Sequence, residues 1–565
     1  MNDKLTGAEA LVRMLEAYEV KHIFGLCGDT SLPFYDALAR LDHGIEHILT
    51  RDERSAAYMA DAYARVTHKV GVCEGPSGGG ATYLLPGLVE ANESSIPVLG
   101  ITSDVPVTSR GKFPLTELNQ QALYQSLTKW NTTIDIAEQI PSAIRSAFRA
   151  MTTGKPGSAH ICLPHDVQKH NVSSSDIWAQ KEHSHYPAQR YVANHADIEE
   201  AAKLILSARF PVLICGGGVI NSGAEKILEK IATFLNIPVC TTVSGQGSLA
   251  GNHSLNVGVV GANGGVPATR EIVNSADLVF FITCRAGSTT TENWRFPNKL
   301  IPIIHLDIDP NTIGANYHTK IGLVGDAKLT LEKLYEELES NIKNRTQNCV
   351  DGKTVVAKAK VAKFAPFLKL ANSNETPILP EKIVHLLNQY LPKDAIVCAD
   401  PGTPCPYFSA YFLSDLPGRH FITNRAHGAL GFSMSAAIGA AIGRPNTKCV
   451  SIMGDGSFGF TSGELETITR YKLPILMVVI SNSVYGWIKA SQKSGYDKRY
   501  YSVDFNRTDH AKIAEVYGIR SWSVTDPSNL ESVIKSAIEY GGPALVDIIS
   551  QPLQDAAAPV SQWMG

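Results

Sequence analysis

Two acids and one amide, distant in the chain, have types and spacing that could do chemistry. In "SIMGDGSFGFTSGELETITRYKLPILMVVISNSVYGW" (451–487) an apolar strand-like run ends in Gly454-Asp455-Gly456. A helical pattern then starts near Thr461, Ser462 or Gly463, and a second apolar run ends in Asn482, 27 positions after Asp455. Open parallel sheets bind ligands beyond the C-terminal ends of their strands. A carboxylate and an amide carbonyl at two such ends suit a hard cation such as Mg²⁺, which takes oxygen ligands and bridges to phosphates. The glycines let backbone N–H groups approach an anion. The competing reading is a tight turn in which Asp455 only caps a helix. The second acid is Glu53 in "RDERSAAYMADAYAR" (51–65), where four charges crowd the first turn of an amphipathic helix. The helix macrodipole favours acids there, so this segment alone reads as a solvated first turn.

The elements that must position these residues come in regular order. Short β-branched runs alternate with longer helical patterns, the signature of α/β domains with parallel sheets. "HIFGL", "VGVCEG", "VLGIT" and "GSAHICLP" open the chain, and a polar linker follows at about 168–192. "FPVLICGGGVINSGA", "IPVCTT", "ADLVFFIT" and "LIPIIHLDID" restart the pattern, which fades into a Lys- and Asn-rich connection near 338–376. "AIVCAD", "CVSIMGDGSF", "PILMVVISN" and "PALVDIIS" complete it. The expected domains are therefore 1–168, 192–340 and 376–552, with a tail at 553–565.

Composition agrees. A chain of 565 residues exceeds one core and suits three domains. With 44% hydrophobic and 19% charged residues it is globular. A net charge of −3 without a basic run argues against nucleic-acid or anionic-membrane partners. No stretch approaches the about 18 uncharged residues that span a bilayer. The N-terminus lacks a signal-peptide apolar region. Ten cysteines without a C-x-x-C lie mostly in apolar runs and read as core residues in a reducing compartment. A cytoplasmic location is the expectation.

Gly-Asp-Gly followed by Asn, in this domain order, resembles the thiamine diphosphate motif of the acetolactate synthase, pyruvate decarboxylase and benzaldehyde lyase superfamily. The acetolactate synthase large subunit is the nearest likeness. The resemblance runs along essentially the whole chain, as pyrimidine-binding, central Rossmann-like and diphosphate-binding domains. It implies that Asp455, the Asn482 side chain and the Val484 backbone carbonyl hold Mg²⁺ against the diphosphate, with Gly454, Gly456 and Ser457 at the cofactor. Many members carry a second Asn where this chain has Ser483. In "CADPGTPCP" (398–406), read alone a Pro/Gly-rich loop, Gly402 and Thr403 would cover the diphosphate. "NRAHGALGFSMSAAIGAAIG" (424–443) alone reads as a tightly packed helix. The resemblance makes Leu430 the wedge between the cofactor rings and brings the Gly428 backbone to the aminopyrimidine.

"R-x-E" followed by a helix ending "YAR" resembles the same family's first domain, and the resemblance implies that Glu53 is the catalytic carboxylate on the aminopyrimidine ring nitrogen. A carboxyl in an apolar pocket has a raised pKa and shares a proton readily. "FGLCGDTSLPFYDAL" (24–38) and "CEGPSGGGATYLLPGLVEA" (73–91) resemble the family's glycine turns. They put Gly78 at the cofactor and Gly28 and Asp29 in the substrate pocket; read alone, both are turns before helices. Thr116 stands where many members have an active-site Gln, and Trp487 is a further pocket candidate. "GGGVINSGA" (216–224), Arg285, Asp307 and Asp309 resemble a central domain that binds FAD in acetolactate synthases, and another adenine nucleotide or nothing in other relatives. Gly287 and Ser288 replace two acids that usually follow that Arg, so FAD stays open.

In such enzymes two subunits build each site, which implies a homo-oligomer with active sites at the dimer interface. The implied function is thiamine diphosphate- and Mg²⁺-dependent carbon–carbon chemistry on a 2-oxo acid, decarboxylation followed by carboligation. Rivals are a 2-hydroxyacyl-CoA lyase or oxalyl-CoA decarboxylase, a sulfoacetaldehyde acetyltransferase, and a non-catalytic cofactor-binding homologue. Intact Glu53, Asp455 and Asn482 argue against the last. A nicotinamide dehydrogenase, suggested only by the glycines at 216–218, ranks below these. The tail is expected to act as a lid.

Overall fold

A computed structural model describes residues 4–563. The chain packs as two units. One comprises the residues up to 189 together with 424–446 and 461–473, the other 190–423, 447–460 and 474 onward.

The first unit holds a six-stranded parallel sheet of β1 (His22–Gly25), β2 (Glu46–Leu49), β3 (Gly71–Gly75), β4 (Val98–Asp104), β5 (Trp130–Thr133) and β6 (Ala159–Pro164). Its spatial order is β2-β1-β3-β4-β6-β5. Every residue of β3, β4 and β6 is buried, as parallel strands covered on both faces must be. In the expected linker, Asn171–Ser173 pairs antiparallel with Lys4–Thr6.

The second unit holds two sheets. One contains β7 (Pro211–Cys215), β8 (Val239–Thr241), β9 (Asn256–Val259), β10 (Leu278–Ile282), β11 (Ile303–Asp307) and β12 (Thr319–Val324), in the order β9-β8-β7-β10-β11-β12. The other contains β13 (Ile396–Ala399), β14 (Phe421–Thr423), β15 (Cys449–Gly454), β16 (Leu476–Ser481), β17 (Arg520–Val524) and β18 (Ala544–Ile549), in the order β14-β13-β15-β16-β18-β17. Both are parallel throughout. Counted within each sheet, the first and last share one order, 2-1-3-4-6-5, whereas the middle one runs 3-2-1-4-5-6. The expected architecture of three α/β domains with parallel sheets is present.

Helix α1 (Leu32–Arg40) follows β1, and α2 (Glu53–Thr67) follows β2. Within α2 every residue except Arg54 and Thr67 is buried. Its neighbours approach so closely that side chains are excluded. A Cβ on Gly71 would lie 2.1 Å from the Ala60 carbonyl oxygen, one on Gly87 2.3 Å from Ala57 Cβ, and one on Gly439 2.1 Å from the Met59 carbonyl oxygen. Gly87 belongs to α3 (Leu85–Glu93), and Gly439 lies on a later helix, Ser433–Gly443. A buried ion cluster closes the far end, Arg65 Nε donating to Asp61 at 2.8 Å and Arg65 Nη2 to Glu90 at 3.3 Å.

Three segments differ from the sequence reading. The Lys- and Asn-rich connection contains a 20-residue helix, α4 (Gly352–Ala371), despite Pro366 within it. Its apolar residues are spread round the helix with lysines between them, so no one-sided helical period shows. Segment 424–443 is helical only over α5 (Ser433–Gly443), because Gly428 and Gly431 adopt positive φ (76° and 84°) before it. Helix α6 (Asp455–Thr461) begins at Asp455 itself, not near Thr461.

Glu381, in the first turn of the helix Pro380–Tyr390, is buried, and burial pushes its carboxyl up to about 7. The unfolded chain ionises this group in the ordinary range, so its contribution to stability is full at low pH and lost as pH rises through about 7. Relative to wild type, Glu381→Gln should match its thermal midpoint near pH 4 and exceed it at pH 8, by an amount equivalent to about 3 kcal/mol. Equal midpoints at pH 8 would contradict this.

Candidate functional site

Ligands of open parallel sheets sit where the strand order reverses. In the last sheet that point lies between β13 and β15, so the loops leaving these strands hold Gly402 and Thr403 on one side and Asp455 on the other. Asp455 is 7% exposed. Its Oδ1 accepts from Gly456 N at 2.9 Å, and its Oδ2 accepts from Asn482 N at 2.8 Å and Ser483 N at 2.6 Å. Burial pushes its carboxyl up, partly offset by these N–H groups and by His510. The Asn482 amide donates to Thr403 Oγ1 at 3.4 Å, which leaves its carbonyl oxygen for another partner. The Ser483 carbonyl accepts from Phe505 N at 3.1 Å, whereas the Val484 carbonyl accepts no hydrogen bond among the described residues. Ser483 itself has φ 56°, a left-handed conformation that Asn adopts more readily than Ser.

An ionised carboxylate offers about four lone-pair positions, so Asp455 keeps capacity beyond its three backbone donors. With the free Asn482 and Val484 oxygens it forms an all-oxygen set of the kind Mg²⁺ takes. Gly402 (φ 91°) and Gly454 have nothing within 4 Å where a Cβ would stand, leaving their loops open. Ser457 is buried. Gly456 is different: a Cβ there would meet the Tyr485 ring at 2.8 Å, so this glycine also makes room for an aromatic side chain. Trp487, on the helix Gly486–Gly495, packs edge-on against Trp563 with centroids 5.2 Å apart, and Ser491 Oγ donates to the Trp563 carbonyl at 2.7 Å. The tail thereby covers this helix.

The first sheet repeats the plan. Its order reverses between β1 and β3, whose outgoing loops carry Gly28-Asp29 and Ser77-Gly78. The two loops interlock, since a Cβ on Gly28 would lie 2.4 Å from Pro76 Cβ. Gly78 (φ 68°) backs onto Thr116, and hydroxyls link the loops: Thr30 Oγ1 to Ser77 Oγ at 3.0 Å and Ser77 Oγ to Thr116 Oγ1 at 2.7 Å. Asp29 and Thr116 are exposed.

Glu53 leads α2 beside these loops. Two of the four charges in its opening turn, Asp52 and Arg54, have structural work, and the third, exposed Arg51, is engaged through its backbone. The Asp52 side chain caps the helix by accepting from Arg54 N at 2.7 Å, Arg54 Nη2 pairs with Asp52 at 3.1 Å, and Arg51 N donates to Glu464 Oε1 at 3.0 Å. Among the described residues Glu53, 7% exposed, accepts from no side chain and from no backbone group but its own. Its carboxyl lies against the glycine turn: a Cβ on Gly80 would be 3.0 Å from Glu53 Oε1, and one on Gly75 3.2 Å from Glu53 Cγ. Burial pushes its pKa up, and the charges of Asp52 and Glu74 act in the same direction. Gly428, exposed at φ 76°, and half-buried Leu430 lie in a loop of this unit held by Glu90, which accepts from His427 N at 2.7 Å.

Glu74, buried within β3 and held by Tyr35 and His47, escaped the sequence reading because a single acid in "VGVCEG" does not break a strand pattern. Its only sequence signal was a charge inside an otherwise apolar buried run. In the central sheet a Cβ on Gly216 would be 1.9 Å from the Thr283 carbonyl oxygen, and one on Gly218 2.6 Å from Thr283 Cβ. Those glycines serve close backbone packing, and Asp307 and Asp309 accept from backbone N–H groups of their own turn at 2.9 Å and 3.0 Å. These contacts lend no support to an adenine nucleotide.

Each of the two sheets with the same strand order thus carries glycine-rich turns at its reversal point, one beside a buried acid and the other with an oxygen-rich turn. The chain matches the thiamine pyrophosphate enzyme family three times: its N-terminal TPP binding domain at residues 5–124, its central domain at 198–334 and its C-terminal TPP binding domain at 400–548. It is 35% identical to a probable acetolactate synthase large subunit of Methanococcus aeolicus, over 97% of this chain and 92% of that protein. Identity is 36% to a probable acetolactate synthase large subunit of Methanocaldococcus jannaschii (97% and 93% covered), and 32% to an acetolactate synthase large subunit of Cyanidium caldarium (96% and 93%). The chain belongs to the thiamine pyrophosphate enzyme family. Among the described residues no helix is long and apolar enough to cross a membrane.

Gly80→Ala would press on the Pro76 ring and on Glu53. Calorimetry should find its affinity for thiamine diphosphate at least about tenfold weaker than wild type, a loss of about 1.4 kcal/mol; unchanged affinity would show that this turn is not at the cofactor.

Proposed function

We propose that this enzyme uses thiamine diphosphate with Mg²⁺ to decarboxylate a 2-oxo acid and ligate the remaining acyl unit to an acceptor, as the names of its relatives suggest. The observation that carries the reading is Glu53: a buried carboxyl at the head of a rigid helix, with raised proton affinity and, among the described residues, no partner but its own backbone. When bound, thiamine diphosphate supplies an acidic thiazolium carbon that adds to a carbonyl and an electron sink for carbon–carbon cleavage.

The chain's own groups then have distinct tasks. Glu53 would hydrogen-bond the aminopyrimidine ring nitrogen and hold or release the proton there. Burial, which raises its proton affinity, makes it a better proton carrier than an ordinary carboxylate. Asp455, the Asn482 side chain and the Val484 carbonyl would hold Mg²⁺, with Gly402, Thr403, Gly454, Gly456 and Ser457 around the diphosphate. Gly428 and Leu430 would orient the rings and Gly78 would back them. Gly28, Asp29, Thr116 and Trp487 would meet the substrate. Thr116, which spends its hydroxyl on Ser77, supplies no amide for handling a substrate carboxylate, so the preferred acids would differ from those of members with Gln there. The working form would be a homo-oligomer whose copies share each site, in the cytoplasm.

Glu53→Gln should keep thiamine diphosphate binding within a few-fold while exchange of the cofactor's C2 proton, followed by NMR after acid quench, slows by about 10²-fold or more. An unchanged exchange rate would remove Glu53 from this role. Asn482→Ala should raise the Mg²⁺ concentration giving half-maximal activity at least about tenfold, and no change would exclude Asn482 as a ligand. Turnover of pyruvate or other 2-oxo acids, with acyl-CoA thioesters and sulfoacetaldehyde inert, is the expected panel result. Turnover of a thioester alone would overturn the substrate class.

A further inference from the structure

Behind Glu53 lies a second buried acid. Glu74 is 2% exposed, in the middle of a sheet whose neighbouring strands leave it no solvent. It is nonetheless a well-held carboxylate. Tyr35 on α1 donates its hydroxyl to Glu74 Oε1, and His47 on β2 places Nε2 3.4 Å from the same oxygen. His47 Nε2 also lies 2.9 Å from the Tyr35 hydroxyl, so two groups from two other elements converge on this one oxygen. Gly25 on β1 leaves the space: a Cβ there would stand 2.3 Å from Glu74 Oε1. One strand residue onward, Gly75 packs against the Glu53 side chain, so the two acids share a wall.

Burying a carboxyl without partners would drive it neutral. Supplying it with a phenol donor and an imidazole works against that burial and favours its charged form, and a charge held in low dielectric acts strongly on a neighbouring acid. We propose that Glu74, kept charged by Tyr35 and His47, is a positioning residue whose field holds the proton on Glu53. This rests on Glu53's role as proposed above and extends it to a residue that itself touches neither cofactor nor substrate. Glu53 feels Glu74 together with Asp52 of its own helix start, and Glu74 in turn bears on Tyr35, Cys73 and Cys27. Both acids sit above the ordinary carboxylate range because of burial, and His47 and Tyr35 pull Glu74 back toward its charged form.

The decisive measurement needs no cofactor. Infrared difference spectra between the apo protein and its Glu53→Gln variant isolate the protonated Glu53 carboxyl across pH. In a Glu74→Gln background, which keeps size and an acceptor for Tyr35 but removes the charge, the Glu53 midpoint should fall by about one pH unit. Tyr35→Phe, which deletes one hydroxyl and lets Glu74 take up a proton, should move it the same way by less. It also serves if Glu74→Gln does not fold. A midpoint that stays in place or rises in the folded variants overturns the proposal; a purely structural Glu74 would lower the melting temperature and leave the midpoint alone. Calorimetric Kd values for thiamine diphosphate separate the two layers. In wild type the Kd should rise as pH passes the Glu53 midpoint, and in Glu74→Gln that rise should begin at correspondingly lower pH. A Kd indifferent to the Glu53 midpoint in wild type would sink Glu53's role, whereas the infrared shift would still report the coupling of the two acids.

Discussion

The close packing around Glu53–Thr67 is the constraint on which the first unit depends. A helix with only two unburied residues has no solvent face to move toward, and its neighbours touch its backbone through glycines that lack the atoms to yield. Close-packed interiors transmit strain and do not absorb it. The first residue of such a helix is held as firmly as its core, and a carboxyl at that position keeps its place while making almost no bonds of its own. Preorganisation of this kind is what a group serving proton transfer requires.

The same economy appears in the two sheets of order 2-1-3-4-6-5. Each places its glycine-rich turns where the order reverses, because only there do two adjacent strands send their following loops to opposite sides and leave a crevice. The turns then diverge in chemistry. The first sheet's are stitched together by hydroxyls and backed by buried acids, suited to a titratable ring. The last sheet's gather a carboxylate, an amide carbonyl and an unpaired backbone carbonyl, suited to a divalent cation. The central sheet, ordered 3-2-1-4-5-6, spends its glycines on packing instead.

Much of this was legible in the residues. The strand runs are continuous and apolar because parallel strands are covered on both faces, so the three α/β domains follow from the alternation alone. Asp455 and Asn482 declared themselves because polar residues end apolar strands. Other features were hidden for physical reasons. The helix Gly352–Ala371 spreads its apolar residues too evenly among lysines to show a period, and the partners of the Asp455 carboxylate, the Asn482 and Ser483 N–H groups, lie in another strand's loop. Glu74 was invisible because its partners Tyr35 and His47 arrive from a different helix and a different strand.

The sequence by itself determined the fold class and the family, because hydrophobic periodicity and short spacings are local properties. Tertiary structure alone decided which of four neighbouring charges is spare. Arg51, Asp52 and Arg54 look no different from Glu53 along the chain. Asp52 and Arg54 become structural when Asp52 folds back to cap and pair with Arg54, while exposed Arg51 gives only its backbone N–H to Glu464. Glu53 is left over and buried, since burial and pairing are properties of neighbours that the order of residues does not contain.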